Sequence, residues 1–182
     1  MNSMFTGLSA FPLTPMRDDA VDENAFVGLI ERLVAARVDS ITTLGSTGSY
    51  AYLSADERAR VAALAVEQAG DIPVFVGVGA LRTSQVIANV RAAELAGASG
   101  LLLAPMTYQP LTETDVFELF RTVTEHTELP VIVYDNPGTT HFTFSLDLYA
   151  RIARLPGIAS IKIPPLPSDP RVARERVEEI RT

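Results

Sequence analysis

Six short apolar runs recur along the chain, and longer amphipathic stretches separate them. Each run has about five to seven residues and hardly alternates between apolar and polar positions. Such runs are typical of strands that are buried on both faces of a parallel sheet. The predicted strands are Gly7–Leu13, Ser40–Leu44, Pro73–Val78, Gly100–Ala104, Pro130–Tyr134 and Ala159–Ile163.

The stretches between the runs predict helices, several of which begin at a side chain that can cap the first turn. Asp22 precedes Glu23–Arg37, whose apolar residues fall on one face. Ser54 and Glu57 form a capping box at the start of Arg58–Ala69. The other predicted helices are Ser84–Leu95 after Thr83, Asp115–Glu125 after Thr112, Leu146–Arg154 after Ser145, and a last helix from Pro170 to Arg181.

This order gives six strand–helix units of roughly 30 residues each, which implies a parallel sheet with right-handed crossovers. Two architectures fit the pattern. A doubly wound sheet is complete with about six strands, whereas a (β/α)₈ barrel needs eight strands and about 250 residues. No linker or low-complexity segment interrupts the units, so residues 1–182 are predicted to form a single domain.

Composition and charge exclude several classes of partner. The formal net charge of −7 argues against nucleic acid and anionic membranes, which bind basic surfaces. The absence of cysteine excludes disulfides, a thiolate nucleophile and cysteine-ligated zinc. The first residues lack a signal peptide pattern, and no apolar run approaches the length of a membrane span. We therefore expect a cytoplasmic protein.

In both architectures, functional residues gather at the carboxyl ends of the parallel strands. We call this edge of the sheet the rim. Hydroxyls, a phenol and one amine follow the predicted strands there, and together they suit imine chemistry. The segments at the rim are Thr14-Pro15, Gly45-Ser-Thr-Gly48, Gly77-Val-Gly79, Pro105-Met-Thr-Tyr108, Tyr134-Asp-Asn-Pro137 and Lys162.

Lys162 is the only lysine in a chain that has 15 Lys and Arg residues together. It ends an apolar strand, where burial should lower the pKa of the amine and favour the neutral form that attacks a carbonyl. The structural alternative is a lysine whose stem packs while its ammonium group reaches water. Its uniqueness and its position at a strand end favour a functional role.

Two other rim segments have both a functional and a structural interpretation. The turn Gly45–Gly48 offers backbone N–H groups and two hydroxyls to a small anion, although a plain turn is the commoner case. Tyr134 can transfer protons, although strand-end tyrosines are more often structural. It lies one strand from Lys162, and neighbouring strands are about 4.8 Å apart.

Cofactor and metal sites are not indicated by the sequence. No lysine follows Gly48 as in a P-loop, and Gly77-Val-Gly79 lacks the third glycine of a dinucleotide-binding turn. The acidic residues are spread over helix faces and caps, and His126 and His141 are far apart, so no metal-ligand cluster is expected.

Several of these segments also occur together, in this order, in a known family. The matching segments are Phe11-Pro-Leu-Thr-Pro15, Gly45-Ser-Thr-Gly48, Leu53-Ser54 with Glu57-Arg58, Gly77-Val-Gly79, Tyr134-Asp-Asn-Pro137 and Ile161-Lys162. With them the chain resembles the pyruvate-dependent class I aldolases of the dihydrodipicolinate synthase and N-acetylneuraminate lyase family. The resemblance implies a (β/α)₈ barrel, of which this chain supplies about the first six units, with the last two strands absent. It also implies a homo-oligomer, either a dimer or a tetramer.

The resemblance further implies a lyase or synthase that joins or cleaves a 2-oxo acid, usually pyruvate, and an aldehyde, with no cofactor besides the covalent imine. Lys162 would form the Schiff base and Tyr134 would relay protons. Ser46 and Thr47, with Gly48 in the same turn, would hold the carboxylate, and Thr47 would pass protons towards Tyr134.

The chain departs from the family pattern where the second substrate is expected to bind. Thr139 stands in place of the arginine that binds the carboxylate of the synthase's aldehyde. Tyr108 is displaced by one position from the usual second tyrosine, whose place is taken by Thr107. We assign Tyr108 and Thr139 to substrate binding and leave the aldehyde open. A related sugar-acid aldolase or dehydratase, and a catalytically idle or truncated relative, remain alternatives.

Overall fold

The computed structural model describes residues 3–181 and contains one sheet of six parallel strands. The strands of this sheet, in spatial order, are β1 (Ser9–Ala10), β4 (Ser40–Thr43), β5 (Val74–Gly77), β6 (Gly100–Leu103), β7 (Val131–Tyr134) and β8 (Ile158–Lys162). In the chain segment that connects β1 to β4, the short strands β2 (Met16–Arg17) and β3 (Ala20–Val21) pair as a separate antiparallel hairpin. The six predicted strands are therefore all present.

Helices alternate with the strands, as predicted. They are α1 (Glu23–Ala35), α2 (Ala55–Ala69), α3 (Thr83–Ala96), α4 (Glu113–Thr124), α5 (Pro137–Thr140), α6 (Leu146–Ala153) and α7 (Pro170–Arg181). Short 3₁₀ turns lie at Ser3–Phe5 and Tyr50–Tyr52. None of the helices in residues 3–181 is long and apolar enough to cross a membrane.

The predicted capping side chains are confirmed at four of these helices. Asp22, Ser54, Thr112 and Ser145 each accept a hydrogen bond from a backbone N–H in the first turn. The predicted cap at Thr83 is wrong, because Thr83 is already helical. The residue before it, Arg82, donates its backbone N–H to the side chain of Gln85 over 3.3 Å instead.

Side chains alternate between two environments along the central strands. On β6, Leu101 and Leu103 join the large core beneath the helices, whereas Leu102 faces the other way. That opposite face, which we call the inner face, carries a separate cluster of Phe75, Leu102, Ala104, Ile132 and Tyr134. The N-terminal residues Met4, Phe5 and Phe11 pack against it.

The long helices form a layer on one side of the sheet, where successive helices pack against one another. A doubly wound sheet would carry helices on both faces. Here the sheet curls as part of a barrel wall, with the inner face as the barrel interior. The barrel architecture is confirmed over the six strands.

The first and last strands differ from the prediction of strands buried on both faces. Within the predicted Gly7–Leu13, only Ser9–Ala10 pairs as a strand, and Leu8 and Leu13 are exposed. Strand β8 is only partly buried. Both strands lie at an edge of the described sheet and pair with a single neighbour, so one long side of each strand is not covered by another strand of that sheet.

Candidate active site

Lys162 and Tyr134 are neighbours across the last pair of strands. Tyr134 on β7 is the register partner of Lys162 on β8, and the N–H of Asp135 donates to the Lys162 carbonyl over 3.0 Å. The Lys162 Nζ lies 4.6 Å from the Tyr134 ring centroid and 5.1 Å from that of Phe11. The amine therefore sits against two aromatic rings.

A cavity of about 140 Å³ opens on the inner face beside this amine. Lys162 and Ser160 line it from β8, Phe11 lines it from the segment after β1, and Thr42 lines it from β4. Apolar side chains, including Phe75 and Leu102, form the rest of the wall. The only lysine amine of these 182 residues thus borders a small cavity inside the partial barrel.

The phenol of Tyr134 is held by two polar side chains from different loops. Its Oη lies 2.8 Å from Ser46 Oγ and accepts a 2.8 Å hydrogen bond from Asn136 Nδ2. The tyrosine itself is 4% exposed, so these side chains dominate the surroundings of its hydroxyl. The chain thus brings an amine, a phenol and a serine hydroxyl together at the rim.

The hydroxyl that contacts Tyr134 belongs to Ser46 and not to Thr47, to which the resemblance gave the relay role. The Thr47 side chain is exposed, and no hydrogen bond joins it to Tyr134 within residues 3–181. The Ser49 N–H donates to the Ser46 carbonyl over 3.1 Å and closes a turn. This turn directs consecutive side chains in different directions, so Ser46 points inward and Thr47 outward.

The turn is fixed by close backbone packing at its base. Leu44, the residue directly after β4, is buried and has a φ of 57°, a conformation that is rare for leucine. A Cβ on Gly77 would lie 1.8 Å from the Leu44 carbonyl oxygen, and one on Gly48 would lie 3.0 Å from the Leu44 nitrogen. Only glycine at position 77 lets β5 approach the strained end of β4.

Tyr108 and Thr139, the two residues assigned to the second substrate, form no hydrogen bond with Lys162 within residues 3–181. Tyr108 is 88% exposed in the loop after β6. Thr139 is also exposed, and its hydroxyl donates to the Asn136 carbonyl over 3.3 Å within α5. Of the predicted site residues, the structure therefore joins Lys162, Tyr134 and Ser46, and leaves Thr47, Tyr108 and Thr139 at the exposed rim.

Arg58 stabilises the end of β5 at the rim through hydrogen bonds, a role that the sequence did not suggest. It is 8% exposed and donates to the carbonyls of Gly79 and Gly77 over 2.9 and 3.0 Å. Its guanidinium group lies over the Tyr50 ring, 5.5 Å from the centroid. Burial lowers the pKa of Arg58 to about 10. These contacts fix the end of β5 next to the Gly45–Gly48 turn.

Asp135 points away from the site, towards the helices. It is 3% exposed, its Oδ2 accepts a hydrogen bond from the Tyr149 hydroxyl, and its Oδ1 has no hydrogen-bond partner in residues 3–181. Burial raises the pKa of this carboxyl, although the Tyr149 hydroxyl and the charge of Arg176 act in the opposite direction. Burial and the neighbouring Asp135 raise the pKa of Tyr149 as well.

Metal ligands are not gathered in the described part of the chain. No group of three or more His, Asp or Glu side chains in residues 3–181 is placed to hold a metal ion.

Known proteins are similar to this chain in both sequence and fold. A family model described as the dihydrodipicolinate synthetase family matches residues 4–164. The 4-hydroxy-tetrahydrodipicolinate synthase of Hyphomonas neptunium is 38% identical over 160 residues, which are 87% of this chain and 55% of that protein. The chain thus spans about half the length of this relative.

Two solved structures have the same architecture. The dihydrodipicolinate synthase of Agrobacterium tumefaciens superposes with a TM-score of 0.90 and 47% identity, covering 96% of this chain and 59% of that one. The chloride-inhibited dihydrodipicolinate synthase of Acinetobacter baumannii, in complex with pyruvate, gives a TM-score of 0.85 and 30% identity, covering 96% and 60%. From the family model and these likenesses together, the chain belongs to the dihydrodipicolinate synthetase family.

Proposed function

We propose that the full-length protein is a Schiff-base-forming lyase or synthase that joins or cleaves a 2-oxo acid, such as pyruvate, and an aldehyde. The observation that carries the proposal is the position of the Lys162 Nζ, 4.6 Å from the ring of Tyr134, whose hydroxyl is hydrogen-bonded to Ser46. The names of the relatives support it, since the Hyphomonas protein is called a synthase and the Acinetobacter structure holds pyruvate.

The reaction would begin at the amine of Lys162. The neutral Nζ adds to the C2 carbonyl of the 2-oxo acid, so that an N–C bond forms, the C=O π bond opens, and a proton passes from the nitrogen to the former carbonyl oxygen. The resulting carbinolamine loses water when a second proton reaches its hydroxyl, which leaves an iminium ion. Loss of a proton from C3 then gives an enamine, whose C3 attacks the aldehyde carbon while the aldehyde oxygen takes up a proton and the iminium ion re-forms. Hydrolysis of the imine releases the product and restores the amine.

Tyr134 is the group that we propose to move these protons. Its ring contacts Lys162 and its hydroxyl contacts Ser46 Oγ. The phenol can therefore give its proton to Ser46 as the serine passes its own hydroxyl proton to the reacting oxygen, and the reverse transfers restore both groups. We therefore propose Ser46 in the relay role that the resemblance gave to Thr47. The Gly45–Gly48 turn, with its backbone N–H groups, is proposed to hold the carboxylate of the 2-oxo acid.

Trapping of the imine tests the proposal. The full-length protein, incubated with pyruvate and borohydride, should carry a reduced adduct that peptide mapping places on Lys162. Lys162→Ala should remove the adduct, and Lys162→Arg should remove it as well while keeping a positive charge. A folded wild-type protein that forms no adduct on Lys162 with pyruvate or another small 2-oxo acid would refute the proposed function.

A second candidate uses the same imine on a different substrate. Thr139 offers a hydroxyl rather than a cation beside the site, which suits a polyol or a neutral aldehyde better than a carboxylate. A sugar-acid aldolase or dehydratase would therefore share the Lys162 adduct but differ in the aldehydes it accepts. A screen of aldehydes against the trapped enzyme separates the two. The absence of a cofactor, the homo-oligomeric state and the cytoplasmic location remain predictions.

A further inference from the structure

Asn136 joins the candidate active site through a side-chain contact with Tyr134. It follows β7 by two residues and precedes the short helix α5. Its carbonyl accepts hydrogen bonds from the N–H groups of Thr139 and Thr140 and from the Thr140 hydroxyl, over 3.0, 2.9 and 3.0 Å. The backbone of Asn136 is thereby anchored, and its amide turns back to Tyr134 and donates to the phenol oxygen over 2.8 Å.

This contact determines where the proton of the phenol can go. A tyrosine hydroxyl has one hydrogen to donate, and the amide nitrogen of asparagine can only donate. Because Asn136 donates to the phenol oxygen, the phenol cannot donate to that nitrogen. Its other close side-chain partner in the described part of the chain is Ser46 Oγ at 2.8 Å, so Ser46 is the side-chain acceptor that the structure offers to the phenol hydrogen.

We propose that Asn136 is a positioning residue that directs proton transfer along the line from Tyr134 to Ser46. The inference rests on the Schiff-base function proposed above and adds a residue to it. When Tyr134 gives up its proton, the N–H of Asn136 stays hydrogen-bonded to the phenol oxygen and stabilises the negative charge that develops there. Asn136 need not touch the substrate for this.

The decisive variant reverses the polarity of the contact without changing its shape. Asn136→Asp replaces the amide donor with an acceptor oxygen, so the phenol hydrogen would turn to the new carboxylate and away from Ser46. Asn136→Leu removes the donor and supplies no acceptor. Asn24→Asp, on the exposed side of α1, introduces the same charge change far from the site and serves as the matched control.

The measurement needs pyruvate alone, so it does not depend on knowing the aldehyde. Enamine formation exchanges the C3 hydrogens of pyruvate for deuterium in D₂O, which NMR follows directly. At saturating pyruvate we expect Asn136→Asp to slow exchange on the order of 100-fold and Asn136→Leu on the order of 10-fold, within the range of acid–base contributions. The pyruvate concentration at half-maximal rate should change much less, and Asn24→Asp should match the wild type.

A double variant separates positioning from a structural effect. In a Ser46→Ala background the relay is already broken, so adding Asn136→Asp should slow exchange little further, whereas a structural defect would multiply the two losses. Full multiplication of the losses, or a wild-type exchange rate in folded Asn136→Asp, would overturn the inference. If Asn136→Asp does not fold, a wild-type rate in Asn136→Leu overturns it. A wild-type protein without a pyruvate adduct instead refutes the proposed function itself.

Discussion

Ser46 and Tyr134 stand 88 residues apart in the chain and share a 2.8 Å hydrogen bond between their hydroxyls. The strands that precede them, β4 and β7, are separated in the sheet by β5 and β6. In a flat sheet these strands would lie roughly 14 Å apart, which is three strand spacings. A serine and a tyrosine side chain can meet across that span only because the sheet curls. The contact therefore depends on the barrel geometry.

Ser46→Ala should slow imine formation in the full-length protein, because it removes the hydroxyl that exchanges a proton with Tyr134. We expect a loss of about 10- to 100-fold in the rate of borohydride trapping at saturating pyruvate. Thr47→Val should change the trapping rate at saturating pyruvate much less, since the exposed Thr47 side chain does not contact the phenol. Equal rates for Ser46→Ala and the wild type would argue against Ser46 as the relay.

Gly77→Ala should destabilise the protein by about 1–3 kcal/mol or more, because the new Cβ would overlap the Leu44 carbonyl oxygen at 1.8 Å. Chemical denaturation measures this loss. Gly28→Ala is the matched control, since no atom lies within 4 Å of its new Cβ in α1. There we expect a gain of roughly 0.5–1 kcal/mol from the better helix propensity of alanine. Equal effects at the two positions would contradict the packing described for Gly77.

Asp135→Asn should stabilise the protein at neutral pH relative to the wild type. Burial raises the pKa of Asp135, so the folded state favours its protonated form. Below the unfolded pKa, about 3.9, both states are protonated and the residue carries no charge penalty. As the pH rises above that value the unfolded chain ionises first, and the wild type loses stability that asparagine, which still accepts from Tyr149, does not lose. The difference in Tm between the two proteins should therefore be larger at pH 7 than at pH 4.

Asp115→Asn provides a comparison of opposite sign. Hydrogen bonds from Thr112 lower the pKa of Asp115, so its charge stabilises the folded state above about pH 4 and that contribution disappears as the pH falls. We expect Asp115→Asn to lower Tm at pH 7 and to have a smaller effect in acid. A common sign for the two variants would show that the local environments do not control these carboxyls.

The sequence predicted most of the scaffold because the signals involved are local. Unalternated apolar runs indicated the strands, and the side chains of Asp22, Ser54, Thr112 and Ser145 indicated helix starts. The hairpin β2–β3 was missed. Its turn has positive φ values of 50° at Asp18 and 63° at Asp19, and it contains no glycine, which is the usual sequence signal for such a turn. That residues 1–182 form a single domain stays a prediction.

The site was predicted less completely, because side-chain direction at a turn is not a local signal. The motif Gly45-Ser-Thr-Gly48 contains two hydroxyls, and only the conformation that Leu44 and Gly77 impose decides that Ser46 faces Tyr134. Asn136 stood in a quoted motif but could not be singled out, since its contact depends on the path of the chain into α5. Similarly, the contacts of the buried Arg58 depend on the positions of the Gly77 and Gly79 carbonyls, at the end of β5 and just after it.

The identity of the aldehyde provides the last prediction. We expect the full-length protein to turn over aspartate semialdehyde poorly, because Thr139 offers no cation for the carboxylate of that substrate. A charge-assisted hydrogen bond contributes about 1.5–3 kcal/mol, so its absence should cost roughly 10- to 100-fold in kcat/KM. Thr139 is exposed at the rim, which leaves room for a longer side chain, so Thr139→Arg should recover part of this loss and Thr139→Val none. A coupled assay measures kcat/KM for all three proteins, with pyruvate adduct formation as the check that Lys162 remains reactive. High efficiency of the wild type with aspartate semialdehyde would show that another group binds the carboxylate.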